Sequence, residues 1–497
     1  MSGAPQRPRL RAKTGCITCK NRRKKCDEAR PACQRCKYSG YLCQWPTTEE
    51  LIDRRYTSHP ARRKSNSPSP SQVSIGSNET QLVTSKQQRS AFWIDATVSR
   101  PSESAAHQLL VHDLESVIAR HFIDRYYGLL LLPSCHPQYY NGWINEIQEL
   151  MVQHKPLRHS VLACAASHLH FVDESPQMQE LSLTYYSQAI RGLSDMLAKI
   201  SQLENHNGLL MSIMLLYLHG CMGRGTYPDI PRHVNAAIRI LKLRLMDQPF
   251  TISQPFDRLA VESVLYQIFL VTMGSWSDPF ELDYQFDPKF WLRAENLLAQ
   301  SMLFPGPSIT TNSPVLGVPL ALFKLALSIK QLWHSPLPHD AEVLDELKVE
   351  MEQWEGLIPS NDQDPNCAPY LEELSDDNYP LYRDATYLYI LVSSLLVQQL
   401  IEQRDSKDDL PEPATPDSWQ VKTAIRILRD NQDNEDWSRC YIGNWPVYTL
   451  GIFVDNSVDM AIVRRDMERR WNLMRFSQLG RFRTELEMIW ARRGFLT

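Results

Sequence analysis

Apolar side chains in the larger part of the chain recur at spacings of three and four residues, in one segment after another from about residue 106 onward. This period places them along one face of an α-helix, so each segment predicts an amphipathic helix with one buried side. Segments that would predict strands are rare. Proline and glycine clusters such as Pro305-Gly306-Pro307 separate the segments, at points where helices should end. The pattern therefore predicts an all-helical domain over residues 106–497.

No fixed-period repeat is visible among these segments, so a regular solenoid is not supported. Two uncharged stretches, 205–223 and 385–401, approach the length of a membrane-spanning helix. Both contain polar residues, and we interpret them as buried helices of a globular domain. The helical pattern lies at about 109–118, 161–169, 178–200, 234–241, 257–273, 316–333, 341–354, 383–402, 418–429, 447–464 and 468–492.

The first 105 residues lack this periodicity. Residues 1–15 are polar and basic, and the stretch 46–105 has few apolar clusters and contains the run Ser-Asn-Ser-Pro-Ser-Pro-Ser at 65–71. Such a composition fits a solvated, extended chain better than a packed one. We predict a disordered basic arm over 1–15 and a disordered Ser/Pro-containing linker over 46–105. Residues 16–45 between them form a separate small module.

Charge is divided unevenly along the chain. The 497 residues have a formal net charge of −4, but residues 1–64 contain 17 Lys and Arg against 5 Asp and Glu, which leaves the remainder acidic. A basic head favours a polyanionic partner, because neutralising phosphates releases their counterions. The sequence also opens without the apolar stretch of a secretory signal, so we expect an intracellular protein.

Six of the eleven cysteines are packed into residues 16–43 with the spacing C-x2-C-x6-C-x6-C-x2-C-x6-C. In a reducing compartment such a cluster favours metal ligation over disulfides. Two tetrahedral zinc ions need eight ligand positions, which six thiolates fill only if two of them bridge. The count therefore suggests a binuclear Zn²⁺ cluster that is structural, because no position is left for water. The candidate ligands are Cys16, Cys19, Cys26, Cys33, Cys36 and Cys43.

The block Cys-Ile-Thr-Cys-Lys-Asn-Arg-Arg-Lys-Lys-Cys at 16–26 resembles the DNA-binding domain of the fungal zinc binuclear cluster (Zn2Cys6) transcription factors, and all six cysteines match the family spacing. The resemblance implies two Zn²⁺ ions per chain, with Cys16 and Cys33 as the bridging ligands. The helical body resembles, more diffusely, the regulatory domains that follow this module. By the same resemblance one site is completed by Cys19 and Cys26, and the other by Cys36 and Cys43.

A run of basic residues crowds the six positions between the second and third cysteines. Arginine can pair bidentately with guanine O6 and N7 in the major groove, while lysine binds phosphates. The resemblance places contacts with CGG-type triplets on Arg22 and Arg23. A solvated basic face or a nuclear import signal is the alternative, and import can coexist with DNA binding. The candidate DNA-binding residues are Lys20, Arg22, Arg23, Lys24 and Lys25.

These observations predict a mainly α, nuclear, sequence-specific regulator of RNA polymerase II transcription that binds double-stranded DNA at GC-rich triplets and acts on the transcription machinery. No phosphate-binding glycine loop, G-x-S-x-G or H-E-x-x-H motif is present, so we predict no enzyme. Because the two uncharged stretches are interpreted as buried helices, we also predict no membrane partner. A zinc-dependent interaction scaffold and a ligand-sensing regulator are the alternatives. The family often forms homodimers, but residues 44–105 lack sustained heptads, so monomeric binding and dimerisation through the body both stay open.

Weaker signals favour structural roles. His168 and His170 lie near Cys164 on a predicted helix, and we interpret them as satisfied core or surface histidines rather than metal ligands. Acidic stretches at 370–379 and 431–437 are interpreted as ordinary loops rather than activation segments. The scattered cysteines, interpreted as small buried hydrophobic residues, are Cys135, Cys164, Cys221, Cys367 and Cys440.

Overall fold

Two compact units make up the chain, Met1–Ala96 and Thr97–Thr497, which we call the head and the body. The computed structural model describes residues 16–21, 26–27, 29–30, 32–38, 43–45, 105–133, 135–198, 206–222, 225–246, 251–274, 276, 284–305, 312–335, 341–359, 380–402, 410–415 and 417–494. Throughout these residues every regular element is a helix, which confirms the predicted mainly α class. The run from Arg22 to Lys25, nearly all of the predicted linker and the acidic stretch 370–379 lie outside the described residues.

The described helices of the head are two single turns, α1 and α2, which occupy Ile17–Asn21 and Gln34–Tyr38. In the body, short π-helical segments follow α3 and α8 at Phe122–Tyr126 and Lys242–Met246. The described helices of the body are α3 (Ala105–His121), α4 (Pro137–Gln153), α5 (Lys155–Asp173), α6 (Pro176–Leu197), α7 (Asn207–Met222), α8 (Ile230–Leu241), α9 (Pro255–Met273), α10 (Pro288–Ala299), α11 (Leu320–Trp333), α12 (Ala341–Glu355), α13 (Pro380–Glu402), α14 (Trp419–Asp430), α15 (Glu435–Arg439), α16 (Asn444–Phe453), α17 (Ser457–Met474) and α18 (Ser477–Arg492).

Local chemistry explains where many of these helices begin. Proline stands in the first turn of α4, α5, α6, α9 and α10, where its missing N–H costs no hydrogen bond. At some starts, including that of α10, a side chain accepts a hydrogen bond from a free backbone N–H. Asp287 accepts from Lys289 and Phe290 at the start of α10, and Ser418 accepts from Val421 at the start of α14.

The centre of the body consists of α7, α9, α13 and α16, in which most residues are buried. The predicted buried helices at 205–223 and 385–401 are therefore confirmed as α7 and α13. By length and composition α13 could cross a membrane, but 78% of its most apolar window is buried inside the body. That burial is typical of a core helix, because a membrane-spanning helix presents its apolar surface to lipid.

Helix boundaries near the C-terminal end of the body differ from the sequence prediction. The apolar pattern at 447–464 predicts one helix, but α16 ends at Phe453 and α17 begins at Ser457. The prediction at 468–492 also joins two helices, since Arg475 adopts a left-handed conformation (φ 52°) that ends α17. Both predictions are wrong because the apolar spacing continues across breaks that backbone conformation and capping create.

A buried polar network crosses this C-terminal region. Arg470 is 0% exposed, and its Nε lies 2.6 Å from Asp466 Oδ1. The same guanidinium donates to the carbonyl of Cys440 at 2.7 Å and stacks over the ring of Trp437. The Trp437 indole N–H donates to the other oxygen of Asp466 at 2.8 Å. The network thus ties α15 to α17 by charge-assisted bonds rather than by apolar packing alone.

Candidate metal centre

The six clustered cysteines of the head come together as two overlapping groups of four thiols. One group is Cys16, Cys19, Cys26 and Cys33, and the other is Cys16, Cys33, Cys36 and Cys43. Within each group the sulfurs all lie within 4.8 Å of one another. Cys16 and Cys33 belong to both groups, which is the arrangement that two tetrahedral ions need when they share two ligands.

The distances between the sulfurs fit zinc and not disulfides. Cys16 Sγ lies 3.8 Å from Cys33 Sγ, and Cys19 Sγ lies 3.6 Å from Cys33 Sγ. A tetrahedral ion with Zn–S bonds of about 2.3 Å holds its sulfurs roughly 3.8 Å apart. A disulfide would need about 2.0 Å, and the described cysteines are all free thiols. The six sulfurs are therefore arranged to hold a pair of zinc ions.

The two halves of the cluster repeat the same backbone hydrogen bonds, as the repeated C-x2-C-x6-C spacing suggests. Cys19 N–H donates to Cys16 Sγ and Cys36 N–H donates to Cys33 Sγ, each at 3.3 Å. The shared ligands repeat a second pattern. Cys16 N–H donates to Cys26 Sγ at 3.4 Å and Cys33 N–H donates to Cys43 Sγ at 3.3 Å. These N–H donors stabilise sulfur in its thiolate form, the form that binds metal.

Without a cation this cluster disfavours a full set of thiolates. Burial raises the pKa of Cys16 and Cys19, and it raises the pKa of Cys36 to about 12. Burial acts on Cys33 in the same direction, but hydrogen bonds from the Cys36 N–H and from neighbouring thiols outweigh it and hold its pKa at about 6. Closely spaced thiolates with low exposure need the positive charge of bound metal, which deprotonates its ligands outright.

Residues of the head other than the cysteines also contact one another. Ile17 N–H donates to the carbonyl of Gln44 at 2.8 Å, and Gln44 N–H donates to Thr18 Oγ1 at 3.1 Å. These bonds fasten the segment after Cys43 to α1. The Arg30 guanidinium lies over the Trp45 ring, 4.7 Å from its centre. Sequence reasoning missed these contacts, because nothing in cysteine spacing indicates which residues outside the ligands meet.

The structure places only part of the predicted DNA-binding run. Lys20 lies in α1 directly after Cys19, and the helix extends to Asn21. The other four members, Arg22 to Lys25, lie outside the described residues. Cys19 and Cys26, which flank the run in the sequence, belong to one thiol group.

His168, His170 and Cys164 make contacts within the fold, as the sequence interpretation expects; Cys440 is also buried, whereas Cys135 and Cys221 are only partly buried. His168 contacts the carbonyl of Met474 at 2.9 Å and His121 Nε2 at 2.8 Å. His170 contacts the carbonyl of Ser175 at 2.8 Å, and the Cys164 thiol donates to the carbonyl of Leu215. Among the described residues, the groups able to hold a metal ion are those of the head. Cys367 lies outside the described residues.

Comparison with known families agrees with this geometry. The family model "Fungal Zn(2)-Cys(6) binuclear cluster domain" matches residues 14–50, which contain all six clustered cysteines. A second model, "Fungal specific transcription factor domain", matches residues 117–495. The cluster domain binds two zinc ions, and the six sulfurs described above are arranged to hold them.

Curated proteins with similar sequences are fungal regulators. The chain is 24% identical over 245 residues to the aspercryptin biosynthesis cluster-specific transcription regulator atnN of Emericella nidulans, a match that covers 47% of this chain and 35% of that protein. It is 26% identical over 191 residues to the pestheic acid cluster transcriptional regulator 3 of Pestalotiopsis fici, covering 32% and 34%. The chain thus spans about a third of the length of these relatives. No solved structure matches.

Proposed function

This chain belongs to the family of fungal-specific transcription factors that carry a Zn(2)-Cys(6) binuclear cluster, and we propose that it regulates transcription in the nucleus by binding double-stranded DNA at CGG-like triplets. The observation that carries the proposal is the pair of overlapping thiol groups that share Cys16 and Cys33. Two zinc ions held there keep both ends of the basic run in fixed positions. We propose no catalytic role, because the metal sites are filled by protein sulfur.

Charge supports DNA as the partner of the head. Six thiolates and two Zn²⁺ ions leave the cluster with about two negative charges, and the basic side chains from Lys20 to Lys25 outnumber them. The surplus positive charge favours phosphates, and an arginine in the run can reach guanine O6 and N7 in the major groove. We assign base reading to Arg22 and Arg23, and phosphate contacts to Lys20, Lys24 and Lys25.

Charge reversal tests this assignment. The double variant R22E/R23E should retain two zinc ions but lose CGG-specific binding, measured as the affinity of the full chain for CGG-containing and scrambled duplexes at fixed salt. The matched control R54E/R55E removes the same charge outside the cysteine block and should keep the preference for CGG. Equal affinity of the wild-type chain for both duplexes would reject triplet reading. Intact specificity in R22E/R23E would reject the assigned residues.

The number of triplets bound distinguishes a monomer from a homodimer. Duplexes with one CGG and with two CGG sequences at varied spacing can be titrated with the same full chain. A sharp optimum in spacing would indicate a dimer, because a dimer fixes the distance between its two reading surfaces. Equal affinity at every spacing would indicate monomeric binding.

The target genes are proposed from the relatives. Two of the similar proteins are named as regulators of biosynthetic clusters, those for aspercryptin and for pestheic acid. We propose that this chain likewise controls a group of neighbouring biosynthetic genes. Mapping of chromatin occupancy in the source fungus should find CGG-containing sites concentrated in the promoters of one such group. Occupancy spread evenly over unrelated promoters would contradict a cluster-specific role.

A further inference from the structure

A partly open cavity of about 120 Å³ lies between α4, α7 and α9 in the body. Its wall follows α7 from Met211 to Met222 and α9 from Leu259 to Leu270, mostly in steps of three and four residues that keep to one face of each helix. Each of these stretches covers about 16 Å of helix axis, at about 1.5 Å per residue. The cavity is therefore elongated along two core helices, and we call it the channel.

Several residues that stay half-buried on these two helices line the channel. Most of α7 and α9 is buried, but Leu218 and Cys221 on α7 and Ser263 and Leu270 on α9 are only half-buried, and all four belong to the wall. A side chain within a core helix keeps accessible surface where the space beside it is unfilled. Unfilled apolar space forgoes the packing contacts that stabilise a core, so an apolar occupant of the channel stabilises the body.

The wall of the channel is mainly apolar, with side chains such as Phe122, Trp143 and Met214. Among the described residues it contains no charged side chain. A single water needs at least about 10–15 Å³ of such volume, so a channel of about 120 Å³ has room for roughly eight to twelve groups of that size. Because a methylene group is similar in size to a water molecule, the channel suits an unbranched chain of about that many carbon atoms.

A positively charged side chain lies beyond one end of the channel. A second cavity, of about 20 Å³, adjoins the channel where α7 ends. Arg481, on α18, lines this smaller cavity and is the charged residue of its wall. The Arg481 guanidinium lies over the Tyr227 ring, 4.4 Å from its centre, and no carboxylate in the described part of the chain forms an ion pair with it. The residues that line both cavities are Tyr217, Cys221, Leu270 and Gln478.

The charge of Arg481 acts on the wall of the channel. Burial raises the pKa of the Cys221 thiol, whereas the Tyr217 hydroxyl and the Arg481 guanidinium both act to lower it. The guanidinium therefore lies near a residue that lines both cavities. Gln478, which also lines both, carries an amide that can donate a hydrogen bond. One positive charge and one amide donor at this end of the channel favour an anionic group.

We propose that the two cavities form one binding site for a medium-chain carboxylate, with its unbranched apolar chain along the channel and its carboxylate in the smaller cavity beside Arg481 and Gln478. The chain fills the apolar space, and the carboxylate supplies an ion-pair partner for Arg481. A neutral alcohol of the same length gains the apolar contacts alone, and an amine places a second positive charge beside the guanidinium. The site lies wholly in the body and is separate from the residues assigned to DNA binding.

Three probes with the same eight-carbon chain separate the role of the charge from that of the chain. Octanoate, 1-octanol and octylamine are titrated into the zinc-loaded full chain by isothermal titration calorimetry at neutral pH, and octanoate should bind most tightly. In R481Q the affinity for octanoate should fall about fivefold, the value of a partly exposed ion pair, and that for 1-octanol should not change. The matched control R492Q removes the same charge at the far end of α18 and should leave all three affinities unchanged. Equal affinity of the wild-type chain for octanoate and 1-octanol, or unchanged octanoate affinity in R481Q, would overturn the carboxylate assignment.

Chain length and a filled channel test the apolar part of the site. From butanoate to octanoate the affinity should rise about fourfold for each added methylene, the value of burying one such group, and it should level off at roughly eight to twelve carbons. S263F places a ring in the channel and should abolish octanoate binding, with S263L as a smaller substitution if S263F fails to fold. Undiminished binding to either folded variant would place the probe elsewhere. No octanoate binding to the wild-type chain, or affinity that does not depend on chain length, would reject the site.

Discussion

The most enclosed side chains are of different kinds in the head and in the body. In the described part of the head they are thiols, with Cys16, Cys33 and Cys36 at 0% exposure. In the body they are large apolar groups such as Trp437 and Phe323, both also at 0%. Among the described residues of the head, the partly buried residues that pack on these thiols are two further cysteines and Trp45, so this part contains no separate apolar core.

This difference means that the two units obtain their stability from different sources. A module of about 30 residues buries too little apolar surface to offset the entropy of ordering its chain, so metal binding must supply the difference. The body is large enough to fold by burying apolar surface. Its buried charged side chains, such as Arg470, lie within this core. Treatments that remove metal and treatments that change buried charge should therefore act on different units.

Removal of zinc should give the largest effect. Structural zinc contributes on the order of 10–16 kcal/mol in small zinc modules, so a strong chelator should unfold the head and abolish DNA binding. The thermal midpoint of the body should not change. Metal content, duplex affinity and circular dichroism of one treated sample measure the three expectations together. A parallel loss of helical signal from the body would show that the two units are not independent in stability.

Loss of one buried cation should be the next largest effect, and it should be confined to the body. R470L removes a fully buried guanidinium and leaves Asp466 without its closest partner. Breaking a buried pair in this way typically costs about 3–5 kcal/mol. Urea unfolding of the body should show this loss, while zinc content and duplex affinity stay at wild-type values.

The control for R470L is an ion pair at the surface. Arg232 is 2.9 Å from Asp229, but its side chain is 82% exposed. R232L should change the free energy of unfolding by less than about 1 kcal/mol, because solvent screens exposed pairs. Equal losses in R470L and R232L would contradict a burial-dependent role for Arg470.

Acid should weaken the body by an amount somewhat below that of R470L. Burial lowers the pKa of His168 to about 4, of His219 to about 3 and of His233 to about 4. The unfolded chain binds protons at these sites below about pH 6.5, whereas the folded chain does not until much lower pH. Stability is therefore fully present above pH 6.5 and is lost as pH falls toward 4.

The expected loss between pH 7 and pH 5.5 is about 1 kcal/mol for each of the three histidines, or about 3 kcal/mol in all. Urea unfolding of the body across this interval measures it, in chelated protein so that release of zinc by acid does not contribute. A flat profile from pH 7 to pH 5.5 would show that these imidazoles are not held neutral by burial.

The head was the easier unit to predict from sequence. Cysteine spacing reflects ligand geometry, and the family resemblance implies that Cys16 and Cys33 bridge the two ions; the structure places these two cysteines in both thiol groups. The stacking of Arg30 on Trp45 could not be anticipated, because it depends on the path of the chain between ligands.

In the body, periodicity was enough to predict helices but not their partners. Apolar spacing shows which side of a helix is buried and leaves open what it is buried against. Asp466 and Arg470 are only four residues apart, but the carbonyl of Cys440 that Arg470 also binds is 30 positions away, so no local pattern indicates the network as a whole. The sequence also contains Asn456, a residue type that favours helix starts, but the apolar pattern predicts one helix across it.

The smallest expected change in the free energy of unfolding comes from loss of the Asn456 cap. This cap lies at the start of α17, a helix boundary that the apolar periodicity did not predict. Asn456 Oδ1 accepts from the Asp459 N–H at 2.9 Å at the start of α17. N456A should cost about 1 kcal/mol, the usual value of a lost cap, whereas N456S keeps an acceptor and should be nearly neutral. Urea unfolding of the body measures both variants. If N456A and N456S lower the free energy of unfolding equally, the hydrogen bond of the cap is not what separates α16 from α17. The break between these helices would then depend on the packing of apolar side chains.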